Sequence, residues 1–371
     1  MNIVHIGAGN IGKGFILPVL KDNNKNINFT FLDVNQQVID DLKKTKMVSL
    51  TYLNKLKNVN KNYIIENALT LNEIFEPQNT NLLNNIDLIT ISIGKENLIK
   101  LKPWFEKLAE KLTKKIIVMC CENGNKVSSF FKDKVFEKET QKKFFFVDCV
   151  VDRIIPISKL KNAKSLNVEE YYSWIYDANQ WPGDVPKLSG LKTSKNIDFE
   201  VSKKLYMLNS LHCSLAWYIY KNDKFKSIST IYNALQNSEV LLFTEKYLDE
   251  CISILEHKFH ADAKELKSYA ISIIKRFMNK KVDDDLHRVA RNTLSKLKTD
   301  DRISPMILYA IKYSLNCETI YMSFLNGINY YLSENETNVE IKDNNEILNF
   351  CSTNLNFSIN EINALKKYII N

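Results

Sequence analysis

The chain has 371 residues, 45% of them hydrophobic and 25% charged, which is the make-up of an ordinary globular protein of about two domains. Its 51 basic and 43 acidic residues leave a net charge of +8. The lysines are scattered among asparagines without a basic block, which argues against nucleic acid and suits small anionic ligands. No apolar run approaches the roughly 18 residues needed to cross a bilayer, and the first residues carry no export signal. A cytoplasmic protein without a membrane partner is expected. The seven cysteines have neither CxxC nor disulfide-framework spacing, so free thiols and no metal centre are expected. His257 and His260, three apart on a helix, read as a polar face and not as half a metal site.

Ile3-Val4-His5-Ile6 is a short apolar strand, followed at once by Gly7-Ala8-Gly9-Asn10-Ile11-Gly12 and a helical pattern through Phe15, Val19 and Leu20. Strand, GxGxxG and helix in that order is the context a dinucleotide requires. The glycines supply the tight turn, the approach of the pyrophosphate and close helix–strand packing, with phosphate at the positive helix N-terminus. Gly7 to Lys13 also fits the start of a P-loop, but Gly14 stands where a Ser or Thr should meet magnesium. Asp33 closes a second strand about 20 residues past the last motif glycine. There a carboxylate receives a ribose 2′-hydroxyl and repels a 2′-phosphate, which favours NAD over NADP. A strand-end Asp capping the next helix is the other reading. The expected cofactor set is Ile3, Val4, His5, Ile6, Gly7, Ala8, Gly9, Asn10, Ile11, Gly12, Lys13 and Gly14, with Asp33 and Gly94.

Further strands follow at βαβ spacing: Asp87 to Ile93, Lys115 to Met119 and Phe144 to Val147. A β-rich insertion between Met47 and Leu69 interrupts the alternation. Gly94, Asn123 and Asp152 fall just beyond strand carboxyl ends, where ligands of doubly wound sheets sit. From Pro156 to about Ile197 the pattern is irregular, with a strand pair predicted from Leu166–Val168 and Tyr171–Trp174. After Phe199 nearly everything has helical period. The predicted helices are 228–235, 240–255, 263–278, one long helix 284–298, then 305–315, 317–332, 345–351 and 359–370. The expected fold is an α/β Rossmann-type doubly wound domain, 1–195, followed by an all-α substrate domain, 196–371.

Within the helix Lys204-Leu-Tyr-Met-Leu-Asn209-Ser-Leu-His212, three polar residues project from within an arc of roughly 140° beside the apolar stripe, at about 100° per residue. A solvated flank is the bland reading. The other reading is an amine, an amide and an imidazole set together beside a buried face.

Several segments together resemble one family, the polyol-specific long-chain dehydrogenases and reductases. They are Gly7-Ala-Gly-Asn-Ile-Gly-Lys-Gly-Phe15, Asp87-Leu-Ile-Thr-Ile-Ser-Ile-Gly94, Cys121-Glu-Asn123, Phe146 to Pro156, Lys204-x4-Asn209-x2-His212 and Arg288 to Arg302. The last looks like the branch acting on phosphorylated polyols. The resemblance covers about residues 1 to 330 and implies a zinc-independent, NAD-linked enzyme interconverting mannitol 1-phosphate and fructose 6-phosphate. It implies Lys204 as general base, whose amine must lie well below the usual value of about 10.4 to act. It also implies Asn123 and Asn209 as donors to the oxyanion. Lys203, out of register with the motif, reads as a surface residue. His212 lies roughly 12 Å along a straight helix from Lys204 and would hold distant hydroxyls, unless it is a satisfied core histidine. Arg288, Arg291 and Lys296 are implied substrate ligands, with Asp152, and a guanidinium fork suits phosphate. Without the resemblance, a charged helix face is a solvated one. The sibling readings are a dehydrogenase of free mannitol or a hexuronate, and a non-catalytic NAD sensor. A monomer or small homo-oligomer is expected.

Overall fold

Apolar side chains alternate along the first strand. Ile3 joins one buried cluster while Val4 and Ile6 join another, so the sheet separates two cores. In the computed structural model, which describes residues 1–54, 57–156, 165–335 and 343–370, the chain forms two compact units, Met1–Val201 and Ser202–Asn371.

The strands of the first unit are β1 (Asn2–Ile6), β2 (Asn28–Asp33), β3 (Met47–Leu53), β4 (Val59–Ile64), β5 (Asn67–Thr70), β6 (Ile86–Ile91), β7 (Ile116–Cys120), β8 (Phe144–Phe146), β9 (Cys149–Asp152), β10 (Leu166–Glu169), β11 (Ser173–Asp177) and β12 (Lys192–Ser194). Six of them make an all-parallel sheet in the order β5-β2-β1-β6-β7-β8. The chain reverses its direction of winding between β1 and β6, which puts a crevice beyond their carboxyl ends.

The expected pairing of Leu166–Val168 with Tyr171–Trp174 does not occur. β10 runs parallel to β3, with Leu166 opposite Leu50, while β11 is antiparallel to β9, with Ser173 opposite Asp152. The linker between them lacks the Gly or Asn of a tight hairpin turn. The Arg153 guanidinium fastens it instead, donating to Gly14 O at 3.0 Å and to Glu170 O and Tyr171 O at 3.3 Å.

The second unit is helical. Ser210–Lys221 and Glu318–Glu334 bury Leu211, Leu215, Trp217, Ile320 and Phe324 beside the long helix Ser238–Phe259. That helix starts where Asn237 accepts from Glu239 N and Val240 N, and it stops at His260, whose φ is 53°. His257 packs on Tyr309 and Tyr313.

The single helix expected over 284–298 is broken. Leu286–Ala290 ends at Arg291, Asn292 takes φ 58°, and Thr293–Leu297 follows. Asparagine tolerates the left-handed region better than most residues. The freed carbonyls find side chains: Thr293 Oγ1 donates to Ala290 O at 2.9 Å and Lys296 Nζ to Val289 O at 2.6 Å.

All seven cysteines are buried and unpaired. Among the described residues no helix is long and apolar enough to cross a membrane, and no three His, Cys, Asp or Glu cluster as a metal site.

Candidate active site

At the end of β1 the backbone turns at Gly7 with φ +107°. A Cβ there would lie 2.3 Å from Ser92 O. At Gly12 a Cβ would meet His5 Nε2 at 2.5 Å, so the helix can sit this close to β1 only without a side chain. His5 is wholly buried, with Nδ1 2.8 Å from Thr90 Oγ1 and Nε2 2.9 Å from Ser92 Oγ; burial lowers its imidazole to about 3. His5 therefore braces the glycine turn from below, and Ile3, Val4 and Ile6 are strand core. Gly14 lies under Leu166 of β10. Ala8, buried, donates its N–H to Asp33 Oδ2 at 2.7 Å, while Asn10 is exposed and Ile11 half-buried. Asp33 Oδ1 accepts from Asn35 N at 2.9 Å, and Asn35, not Asp33, caps the next helix. Burial lowers the Lys13 ammonium against the pull of Asp33 and Asp41. A cavity of about 410 Å³ opens beside Gly7, Gly9, Asp33 and Ser92, with the 80%-exposed Val34 at its rim.

Around Gly9 a Cβ would meet nothing within 4 Å among the described residues, so the turn is open on that side to them. Open backbone at a helix N-terminus, with a carboxylate one strand away, fits a dinucleotide's pyrophosphate and ribose.

Beyond β6 and β7, the Glu122 carboxylate joins two loops. Its Oε1 accepts from Ile93 N at 2.5 Å and Gly94 N at 2.7 Å. Asn123 follows it on the exposed part of the loop. Asp152 is buried at the end of β9, outside the six-stranded sheet.

In the helical unit the Lys204–His212 stretch is not a straight α-helix. Ile197–Lys203 is α-helical, Lys204–Asn209 is a π-helix, and the α form resumes over Ser210–Lys221. In an α-helix residues five apart lie about 140° from one another. The i→i+5 turn is wider and brings Lys204 and Asn209 nearer to one face. Both are half-buried. Lys203 is not a surface residue: its side chain is 13% exposed and paired with Glu265 at 2.9 Å.

His212 stacks on Phe277 with centroids 4.8 Å apart. Its Nε2 is buried without a hydrogen-bond partner among the described residues, 3.6 Å from Asp284 Oδ2. That separation exceeds a hydrogen bond. Burial lowers the imidazole to about 4 against the pull of Asp284, so His212 is neutral near pH 7. Asp284 also takes the Arg288 fork, through Nε at 2.6 Å and through Nη2. Arg288 is thus already paired. Arg291, exposed at the helix break, donates Nε to Arg288 O at 3.2 Å and no other N–H among the described residues. Lys296 lies beyond the break, its amine lowered by burial. Arg288, Arg291 and Lys296 share a segment but not one helix face.

The chain matches the Mannitol dehydrogenase Rossmann domain over residues 1–190 and the Mannitol dehydrogenase C-terminal domain over residues 197–362. It is 37% identical over 333 residues to a mannitol-1-phosphate 5-dehydrogenase of Mycoplasma mycoides subsp. mycoides SC, covering 89% of this chain and 98% of that one. The chain belongs to the mannitol dehydrogenase family.

A relative in Clostridium acetobutylicum with the same name is 28% identical, over 91% of this chain and 88% of its own. Among solved structures, a Pseudomonas fluorescens mannitol 2-dehydrogenase, a ternary complex with NAD and D-mannitol, aligns with a TM-score of 0.76. It is 14% identical over 99% of this chain and 90% of its own. A D-sorbitol dehydrogenase aligns at 0.74, with 18% identity over 88% and 80%. At these identities the structures establish the shared fold.

Two residues of this mannitol dehydrogenase family member escaped the reading of its sequence. Nothing in the sequence sets Asp284 apart from the neighbouring Asp283 and Asp285, and Glu122 is legible only as a neighbour of Asn123. Burial raises the Glu122 carboxyl to about 7, against the two backbone donors. The native state therefore holds this proton at pH values where the unfolded chain, near 4.5, has lost it. Stability is lost as pH rises from about 4.5 to about 7. Glu122→Gln keeps an acceptor for Ile93 and Gly94 and removes the titration. Thermal unfolding of this variant should be flatter than the parent's between pH 5 and 8; parallel curves would show that Glu122 does not titrate there.

Proposed function

We propose that this chain is an NAD-dependent mannitol-1-phosphate 5-dehydrogenase, interconverting D-mannitol 1-phosphate and D-fructose 6-phosphate. The observation that carries this reading is Arg291. Arg288 is closed on Asp284, whereas the Arg291 guanidinium is exposed and has no carboxylate partner among the described residues. An open planar fork near the half-buried Lys296 amine suits a phosphate dianion. The names of the relatives in Mycoplasma mycoides and Clostridium acetobutylicum support the same substrate.

NAD, bound through the Gly7–Gly14 turn with Asp33 and Gly94, supplies the hydride acceptor for alcohol oxidation. The Lys204 amine takes the hydroxyl proton, and in the reverse direction its ammonium returns it. Asn209 and Asn123 donate amide N–H bonds to the oxygen as negative charge develops. His212, neutral and with Nε2 unpartnered among the described residues, takes a substrate hydroxyl away from the reacting carbon. The chemistry needs no metal, and Asp152 shapes the substrate side.

The test is NADH consumption with fructose 6-phosphate, fructose or tagaturonate, each with and without a chelator. Turnover of fructose 6-phosphate that the chelator does not affect is expected. Preference for fructose or tagaturonate would make the chain a sibling enzyme, absence of all turnover would make it a sensor, and chelator inhibition would contradict the metal-free mechanism. Arg291→Ala should raise KM roughly 10- to 100-fold for fructose 6-phosphate, on the order of 1.5–3 kcal/mol for a charged hydrogen-bond pair. KM for fructose should stay near the parent's, and an equal rise for both would remove Arg291 from the phosphate.

A further inference from the structure

The π-turn over Lys204–Asn209 has its own fastening. Ser210 donates its backbone N–H to Leu205 O, an i→i+5 bond. Helix Ser210–Lys221 then returns to i→i+4 bonding, and the change of register passes over one carbonyl of the ladder. The next carbonyl after Leu205 O is Tyr206 O, and side chains meet it. The Ser210 hydroxyl donates to it from the same helix, and the Cys251 thiol donates to it at 3.3 Å from helix Ser238–Phe259. Ser210 and Cys251 are both wholly buried, so water cannot take their place. The thiol has one proton. Its other neighbour, Met306 Sδ at 3.7 Å, is the weaker acceptor.

We propose that Ser210 and Cys251 are positioning residues for the reaction: by satisfying Tyr206 O they hold open the wide turn that sets Lys204 and Asn209 relative to one another. This rests on the reading that Lys204 and Asn209 carry the chemistry. A buried carbonyl with no donor is costly. The backbone can reclaim it by returning to i→i+4 bonding, which turns Lys204 by about 100° relative to Asn209. Neither side chain touches substrate in this scheme. Each acts through the backbone.

The variants Ser210→Ala/Cys251→Ala and Ser210→Ala/Cys251→Ser differ only in whether a donor to Tyr206 O remains. The first should lose kcat for fructose 6-phosphate reduction by about 100-fold, the scale of a misplacement near 1 Å. NADH affinity and substrate KM should stay close to the parent's. The second should retain most of the parent's kcat. Equal kcat in the two double variants would overturn the assignment. Where the alanine pair does not fold, Ser210→Ala and Cys251→Ala are measured singly. A kcat drop in either at unchanged NADH affinity supports the assignment, and parent-like kcat in both overturns it. Lys204→Ala is assayed alongside. Parent-like turnover there removes the underlying reading, whereas an inactive Lys204→Ala beside an active alanine pair removes only the role of Ser210 and Cys251.

Discussion

Lys204→Ala should lower kcat for fructose 6-phosphate reduction by roughly 10³-fold, within the usual range for removing a general acid–base. The loss should fall on kcat alone. The residues that fit NADH belong to the first unit and Lys204 to the second, so NADH affinity measured by fluorescence should be unchanged. Stability should also be nearly unchanged, because the side chain is only half-buried and alanine has high helix propensity. A further readout separates this from a general disturbance. The parent's pH–kcat profile should have one limb belonging to the amine, and the residual activity of the variant should lack it. His212 should add no limb near neutrality, since burial lowers it to about 4. A variant retaining more than about a tenth of the parent's kcat would exclude Lys204 as the proton carrier.

Asp284→Ala should produce the largest loss of stability of any substitution considered. The Asp284 side chain is 7% exposed, takes both arms of Arg288 and faces His212 Nε2 at 3.6 Å. Breaking a buried pair by removing one partner costs about 3–5 kcal/mol, because the other charge is left without compensation. Arg288 is 31% exposed and can recover some hydration, which brings the expectation to about 2–3 kcal/mol. That corresponds to a fall in Tm of roughly 5–10 °C for a unit of this size. Asp284→Asn keeps the shape and one acceptor and should cost less than half as much. Thermal and urea unfolding of the two variants decide the matter. A change within about 1 °C for Asp284→Ala would mean that the pair is solvated and contributes little.

Much of the fold was legible because local chemistry and tertiary demand agree. A run such as Ile3 to Ile6 before GxGxxG leaves the backbone few options, and βαβ spacing marks the strands of a parallel, doubly wound sheet. Three features were hidden. β10 and β11 have strand-like sequences, but which strand each joins depends on distant partners and on Arg153, which no local pattern reveals. The break at Asn292 carries neither Gly nor Pro, and its signal, an Asn able to enter the left-handed region, is weak beside an uninterrupted helical period. The π-turn is invisible to a periodicity of 100° per residue, because one wide turn leaves the apolar pattern on either side helical. In the site, the residue types and spacings of Lys204, Asn209 and Asn123 were readable. The pairing of Arg288 with Asp284 was not, because a cap and a buried ion-pair partner look alike in one dimension.

The wide turn at Lys204–Asn209 is what a one-residue insertion looks like once a helix has absorbed it. Lys-x4-Asn is, in that sense, Lys-x3-Asn with an extra residue between. Removing one residue from 205–208 would leave lysine and asparagine four apart on one face of an ordinary helix. It would leave the segment before the turn at the same rotation to the segment after it, whereas winding the present residues as an ordinary helix would turn one against the other by about 100°. The wide turn therefore carries an extra residue without turning one part of the helix against the other, and the spacing of Lys204 and Asn209 is tied to it.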